Sequence, residues 1–195
     1  MKRTFSTLFI IAALTSSCHN NKQKDKPDAP KPDSTTTVTD SRKKETDAYS
    51  KKADELQQLT PMNEDQMKPL MPATIMDAAV ANPSFTSALG AGVMTGEYKL
   101  NDSTTLLLTI SDCAGAGGAG LYNLQYAGQL DYTEDNQDEY TKVIDFNGSK
   151  AIEHCLKKER GCSFTYFSGN RFLVVMEGNA GADQLKQVAK KLSVK

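Results

Sequence analysis

"YTKVIDFNGSKAIEHCL", residues 140 to 156, is the stretch on which the fold turns. Two strand-like runs flank Asn147-Gly148, a residue pair suited to tight hairpins because both positions tolerate positive φ. Strands joined by so short a turn must pair antiparallel. That matters because of what lies upstream, "SDCAGAGGAGLYN" at residues 111 to 123. Gly115, Gly117 and Gly120 spell G-x-G-x-x-G, the spacing that seats a dinucleotide pyrophosphate on a helix N-terminus. A strand-like run, "TTLLLTI", precedes the motif, and Asp145 follows Gly120 by 25 residues, near the place of an acidic ribose ligand. In a dinucleotide fold the strand carrying that acid runs parallel to the first and feeds another helix. Here it turns back on itself at Asn147-Gly148. The cofactor reading fails there, and no cofactor is expected.

Packing accounts for the glycines more simply. Residues without side chains let the chain leave the strand sharply and bring a helix close to the sheet. A functional alternative keeps the same residues. Backbone N–H groups of Gly115, Gly117, Gly118 and Gly120 at the helix start could hold a small anion, with Asp112 opposing it.

Outward from these two stretches the pattern is mostly of strands. "AGVMTGEYKL" (91–100) and "TTLLLTIS" (104–111) form a first hairpin across "NDS". "LYNLQYAGQL" (121–130) has helical spacing, and "EDNQDE" (134–139) reads as a polar loop. Runs at 140–146, 149–156, 162–168 and 171–177 then form a meander, with Gly169-Asn170 as a second tight turn. Upstream, "TPMNEDQMKPLMP" reads as a short helix with Thr60 as N-cap, Pro61 in its first turn and Pro69 and Pro72 ending it. "AYSKKADELQQLT" (48–60) adds a short solvent-exposed helix before it. "ADQLKQVAKKL" (182–192) closes the chain, with Leu185, Val188, Ala189 and Leu192 on one face. The expected fold is α+β: an antiparallel sheet of about six strands with helices covering one face, preceded by a disordered tether.

The N-terminus reads as a targeting segment. Lys2 and Arg3 precede the apolar run "LFIIAAL" (8–14), which is too short to span a bilayer. "TSSC" follows, and a cysteine after small residues looks like a lipobox, with Leu14 four residues before Cys18 rather than three. Residues 1–17 are then a lipoprotein signal peptide, and Cys18 is the lipidated mature N-terminus, palmitate among its acyl chains. Residues 18–47 are poor in apolar residues, rich in charges of both signs and interrupted by proline, which predicts a disordered spacer. Residues 48–195 are expected to form a single globular domain. The formal net charge of −1 provides no global field for nucleic acid, so the expected attachment is to a membrane through the lipid.

Export permits disulfides, and Cys155 and Cys162 stand at the facing ends of adjacent strands, so a structural bridge between them is expected. Cys113 and His154 raise the alternative of a thiol nucleophile, although Asp112 beside the cysteine works against a thiolate. Zinc held by Cys113, His154, Cys155 and Cys162 fails because neighbours on a strand point to opposite faces. "DYTEDNQDEYTK" (131–142) misses the glycine and the final glutamate of a calcium loop. No metal site and no catalytic set is expected.

With "LTPMNEDQMKPLMP", "SDCAGAGGAGLYN", "YTKVIDFNGSKAIEHC" and "GNRFLVVMEGN" in view, residues 55–195 resemble a family of uncharacterised exported lipoproteins of Bacteroidota. That resemblance implies no named activity. The order of elements is also similar to PsbP-like α/β/α domains, mostly accessory or assembly proteins, a likeness of layout alone. "DST" at 33–35 and 102–104 resembles Bacteroidota O-glycosylation sites, and "HNNKQK" after Cys18 lacks their acidic surface-export signal. The expected role is a lipid-anchored, periplasm-facing envelope module, non-enzymatic, binding an unknown protein or small ligand. The alternatives are an enzyme using Cys113 or the Gly115–Gly120 loop, and a purely structural envelope protein.

Overall fold

Chain direction reverses at almost every strand. A computed structural model describes residues 36–158 and 161–194, with side chains from residue 46 onward. The elements run α1 (Thr36–Gln57), α2 (Glu64–Met67), β1 (Thr74–Ile75), β2 (Ala78–Ala88), β3 (Ala91–Lys99) and β4 (Thr105–Asp112). After α3 (Gly115–Gln125) come β5 (Glu134–Asp135), β6 (Glu139–Phe146), β7 (Ser149–Leu156), β8 (Cys162–Ser168), β9 (Phe172–Gly178) and α4 (Ala182–Lys191). The signal segment, Cys18 and the tether up to residue 35 lie outside the described residues. From Thr37 onward the chain is one compact unit.

The nine strands form one antiparallel sheet in the order β1-β2-β3-β4-β9-β8-β7-β6-β5. Two meanders therefore meet where β4 pairs with β9, and α3 is the connection that carries the chain from one to the other. Asn147 and Gly148 take φ of 49° and 77°, the left-handed pair that a two-residue hairpin demands. Asp145 faces Lys150 across that turn at 2.7 Å, so the acid that mimicked a ribose ligand closes a hairpin.

Among the described residues nine strands replace the expected six or so. β1, β2 and β5 are the additions, and β5 lies within the stretch read as a polar loop. β2 escaped notice because "AAVANPSFTSA" offers little alternation and contains proline. Its register shifts between Ala81 and Ser84, and Asn82 there has φ of 51°. Pro83, which has no N–H to give to a ladder, sits inside that irregularity.

Helices cover both faces rather than one. Leu106, Leu108 and Ile110 of β4 and Phe172, Val174 and Met176 of β9 form the first core with Met67, Leu185 and Val188. Alternation sends Leu173 to the other face, where it joins Ala53 and Leu56 of α1, Ala119 and Tyr122 of α3, Cys113 and Ile152. The expected exposed helix at 48–60 is thus a packing element. It begins at Thr36, so residues 36–47, assigned to the tether, are helical. α2 is capped by Asn63 rather than Thr60, in a reciprocal box with Gln66. α3 starts at Gly115, so the glycine stretch is helix, not a loop leading into one.

Candidate functional site

At the joint between β4 and α3 the glycines have mostly steric work. A Cβ on Gly117 would lie 1.8 Å from the Leu89 carbonyl oxygen, and one on Gly118 would lie 2.3 Å from the Cys113 carbonyl carbon. Gly115 has φ of +73°, and a Cβ there would meet Pro61 at 2.9 Å. Gly120, the last glycine of the fingerprint, faces open space. Two of the four are spacers for backbone contact, Gly115 holds a positive φ against a proline ring, and the fourth is unconstrained.

Asp112 organises the same joint. It is buried, and Arg171 grips it from two nitrogens, Nε to Oδ1 at 2.7 Å and Nη2 to Oδ2 at 2.8 Å. Its oxygens also accept from the Met62 N–H at 2.7 Å and the Ala114 N–H at 3.1 Å. Arg171 further donates to the Thr60 carbonyl, and its own carbonyl accepts from the Cys113 N–H. The hydrogen bonds to Asp112 raise the Arg171 guanidinium above its already high ordinary value. An anion approaching this helix start meets a carboxylate already in residence.

Cys113 lies fully buried beneath α3, and burial pushes its thiol up to about 12. A nucleophile needs the thiolate and a route to solvent; this side chain has neither at neutral pH. His154 stands elsewhere, on β7, where Nδ1 lies 3.0 Å from the Thr141 hydroxyl and Nε2 lies 3.6 Å from Glu139. Cys155 and Cys162 face each other with Cα atoms 4.1 Å apart and sulfurs at disulfide distance, 2.11 Å. No group of three or more His, Cys, Asp or Glu among the described residues is placed to hold a metal ion.

Sequence reasoning missed Glu153, which is 1% exposed on the first face of the sheet. Lys186 of α4 stands 2.8 Å from one oxygen, while Lys142 at 2.9 Å and the Tyr140 hydroxyl at 2.7 Å hold the other. Burial raises its carboxyl, but these three partners outweigh burial and hold it below the ordinary value. The cluster pins α4 to the sheet. A glutamate amid an apolar strand run was its only signal in the sequence.

The arrangement left open for a partner is on the second face, beyond the helices. One row of directly opposed residues crosses seven strands there: Glu97, Leu107, Glu177, Ser163, His154, Thr141 and Glu134. α1 and α3 cover the next rows, and α3 reaches this one only at its end, where Gln125 borders His154 and Thr141. The result is a trough of about 650 Å³ over Glu97, Leu107, Leu156, Ser163 and Glu177. A second depression of about 340 Å³ shares His154 and continues over Thr141, Glu139 and Glu134. Hydrogen bonds from Tyr132 and Asn136 hold the Glu134 carboxyl below its ordinary value. Four carboxylates thus line the two depressions, and no lysine or arginine among the described residues does. Lys99 and Lys157, at the ends of the same strands, are paired with Asp102 and Asp135.

None of the predicted site residues except His154 has its side chain in this row. The Cys155–Cys162 pair stands one step behind it, staple-like, where His154 and Ser163 face each other. Comparison with family models, with curated proteins and with solved structures finds no match to this chain.

Proposed function

We propose that this chain is an envelope lipoprotein, anchored through acyl chains on Cys18, whose domain is a non-enzymatic binding module facing the periplasm. The observation that carries the binding role is the uncovered half of the second sheet face. Binding sites are concave, largely apolar and carry a few converging polar groups. The trough over Leu107 and Leu156, rimmed by Glu97, Glu177 and His154, has that character. The burial of Cys113 and the raised thiol argue against the enzyme alternative. The anchor rests on Lys2, Arg3, the apolar run 8–14 and Cys18, and the net charge of −1 argues against nucleic acid as the partner. Residues 18–35 then serve as a spacer between membrane and domain. The kinship we propose is with the exported Bacteroidota lipoproteins of similar motifs. Helices on both faces of an antiparallel sheet suit the PsbP-like layout as well.

Two measurements test this. Metabolic labelling with an alkyne fatty acid is expected to mark the chain and to be lost in Cys18→Ala. A photo-crosslinking residue at position 107 is expected to capture a ligand or partner in cells. The same residue at position 124, exposed on α3, serves as the comparison. Equal capture at the two positions, or capture at 124 alone, would remove the trough as the site.

A further inference from the structure

We infer that the trough receives an extended, basic polypeptide segment laid across the strands, an inference that rests on the trough being the binding site. Its three parts are spacing, charge and floor.

Neighbouring strands lie about 4.8 Å apart, so Glu97 and Glu177, two strands from each other, are about 9.6 Å apart with Leu107 between them. A polyproline-type helix advances about 3.1 Å per residue and presents every third side chain on one side, at about 9.3 Å. Lysine or arginine at positions i and i+3 of such a segment therefore meets Glu97 and Glu177 together. A β-extended segment does not match, because its same-side side chains recur at about 6.8 Å. Four strands beyond Glu177, at about 19 Å, the row ends on Glu134, which six further polyproline residues reach.

Charge selects the sign of the ligand. The side chains of Glu97 and Glu177 have no hydrogen-bonding or ionic partner among the described residues. The other carboxylates along the two depressions are Glu134 and Glu139, and His154 stands between the two pairs. An anionic segment would meet carboxylates at three of the four stations two strands apart, Glu97, Glu177 and Glu134, with His154 at the other. The floor suits the rest of a basic side chain, since Leu107 and Leu156 offer apolar surface to the methylene stems of lysine or arginine.

The test uses the full chain and fluorescence anisotropy of labelled twelve-residue peptides made of Lys-Pro-Pro, Gln-Pro-Pro or Glu-Pro-Pro repeats. Only the lysine peptide is expected to bind, and raising the salt is expected to weaken it. Exposed ion pairs are individually modest, so Glu97→Gln and Glu177→Gln should each weaken binding about three- to fivefold and the double variant about tenfold or more. Asp54→Asn, on α1, should leave affinity unchanged. Equal binding of the three peptides, unaltered binding in the double variant, or spermidine binding as tightly as the peptide would each overturn the inference. If the lysine peptide does not bind while crosslinking from position 107 persists, the ligand class is wrong and the trough stands. If both are lost, both readings fall.

Discussion

One sheet face carries two opposite treatments. Around Ser111 and Leu173, α1 and α3 seal it, and Asp112, Arg171 and the tight glycines weld helix, strand and turn together. Around Leu107, Glu177 and Ser163 the same strands carry side chains that nothing among the described residues covers. The backbone ladder is continuous through both halves, so the difference lies in where the helices end. A rigid, buried joint holds the sheet, and the sheet presents an open row whose side chains have little structural work. Mutations in the two halves should therefore separate stability from binding.

The largest effect is expected at Gly118→Val, where a side chain would need space already held by the backbone of Asp112 and Cys113. Loss of more than about 4 kcal/mol in chemical denaturation is expected, while Gly120→Ala should be neutral or gain up to about 1 kcal/mol. Comparable curves for the two would remove the packing account of the glycines. Asp112→Ala comes next, leaving Arg171 without its partner in a mostly buried place, at a cost of about 3 kcal/mol. A double variant, Asp112→Ala with Arg171→Met, should recover part of that loss.

Replacing both Cys155 and Cys162 by alanine opens a short loop and should cost about 2.5 kcal/mol, read as a shift in the denaturation midpoint under non-reducing conditions. Reductant should move the parent protein by a similar amount and leave the variant alone.

Glu153 supplies the pH dependence. Its folded carboxyl titrates below the ordinary 4.5, so the unfolded chain takes up the proton first as pH falls. The stability it contributes is present above about pH 4.5 and is lost as pH falls through the folded value. Glu153→Gln should cost about 1–2 kcal/mol at neutral pH and flatten this acid limb. Equal acid limbs in variant and parent would contradict the assignment. The smallest effect is expected in the open half, where Leu107→Ser and Glu177→Gln should each stay within about 0.5 kcal/mol in stability. A large loss there would mean that the row is structural after all.

Much of the fold was legible because hairpin chemistry is local. Asn147-Gly148 reports its own φ values, and the period-two runs at 149–156 and 162–168 name their strands residue for residue. β2 was not legible, because its small residues and Pro83 carry no periodic signal and its pairing comes from β3. The second helical layer was hidden for a similar reason. α1 looks polar in isolation, and only the sheet beneath it turns Tyr49, Ala53 and Leu56 into a packing stripe. The trough was the least legible part. Its residues come from seven strands, and in each strand they look like the ordinary polar side of an alternating pattern.

Antiparallel pairing, the hairpins from β3 onward, the facing cysteines and the failure of the dinucleotide fingerprint are readable from the chain alone, since each depends on neighbours a few residues apart. That helices cover both faces and that Asp112 belongs to Arg171 emerges only from the folded arrangement. It alone brought Glu97, Glu177 and His154 into one row. Those relations join residues far apart in the chain, and they exist only once strand order and register bring them side by side.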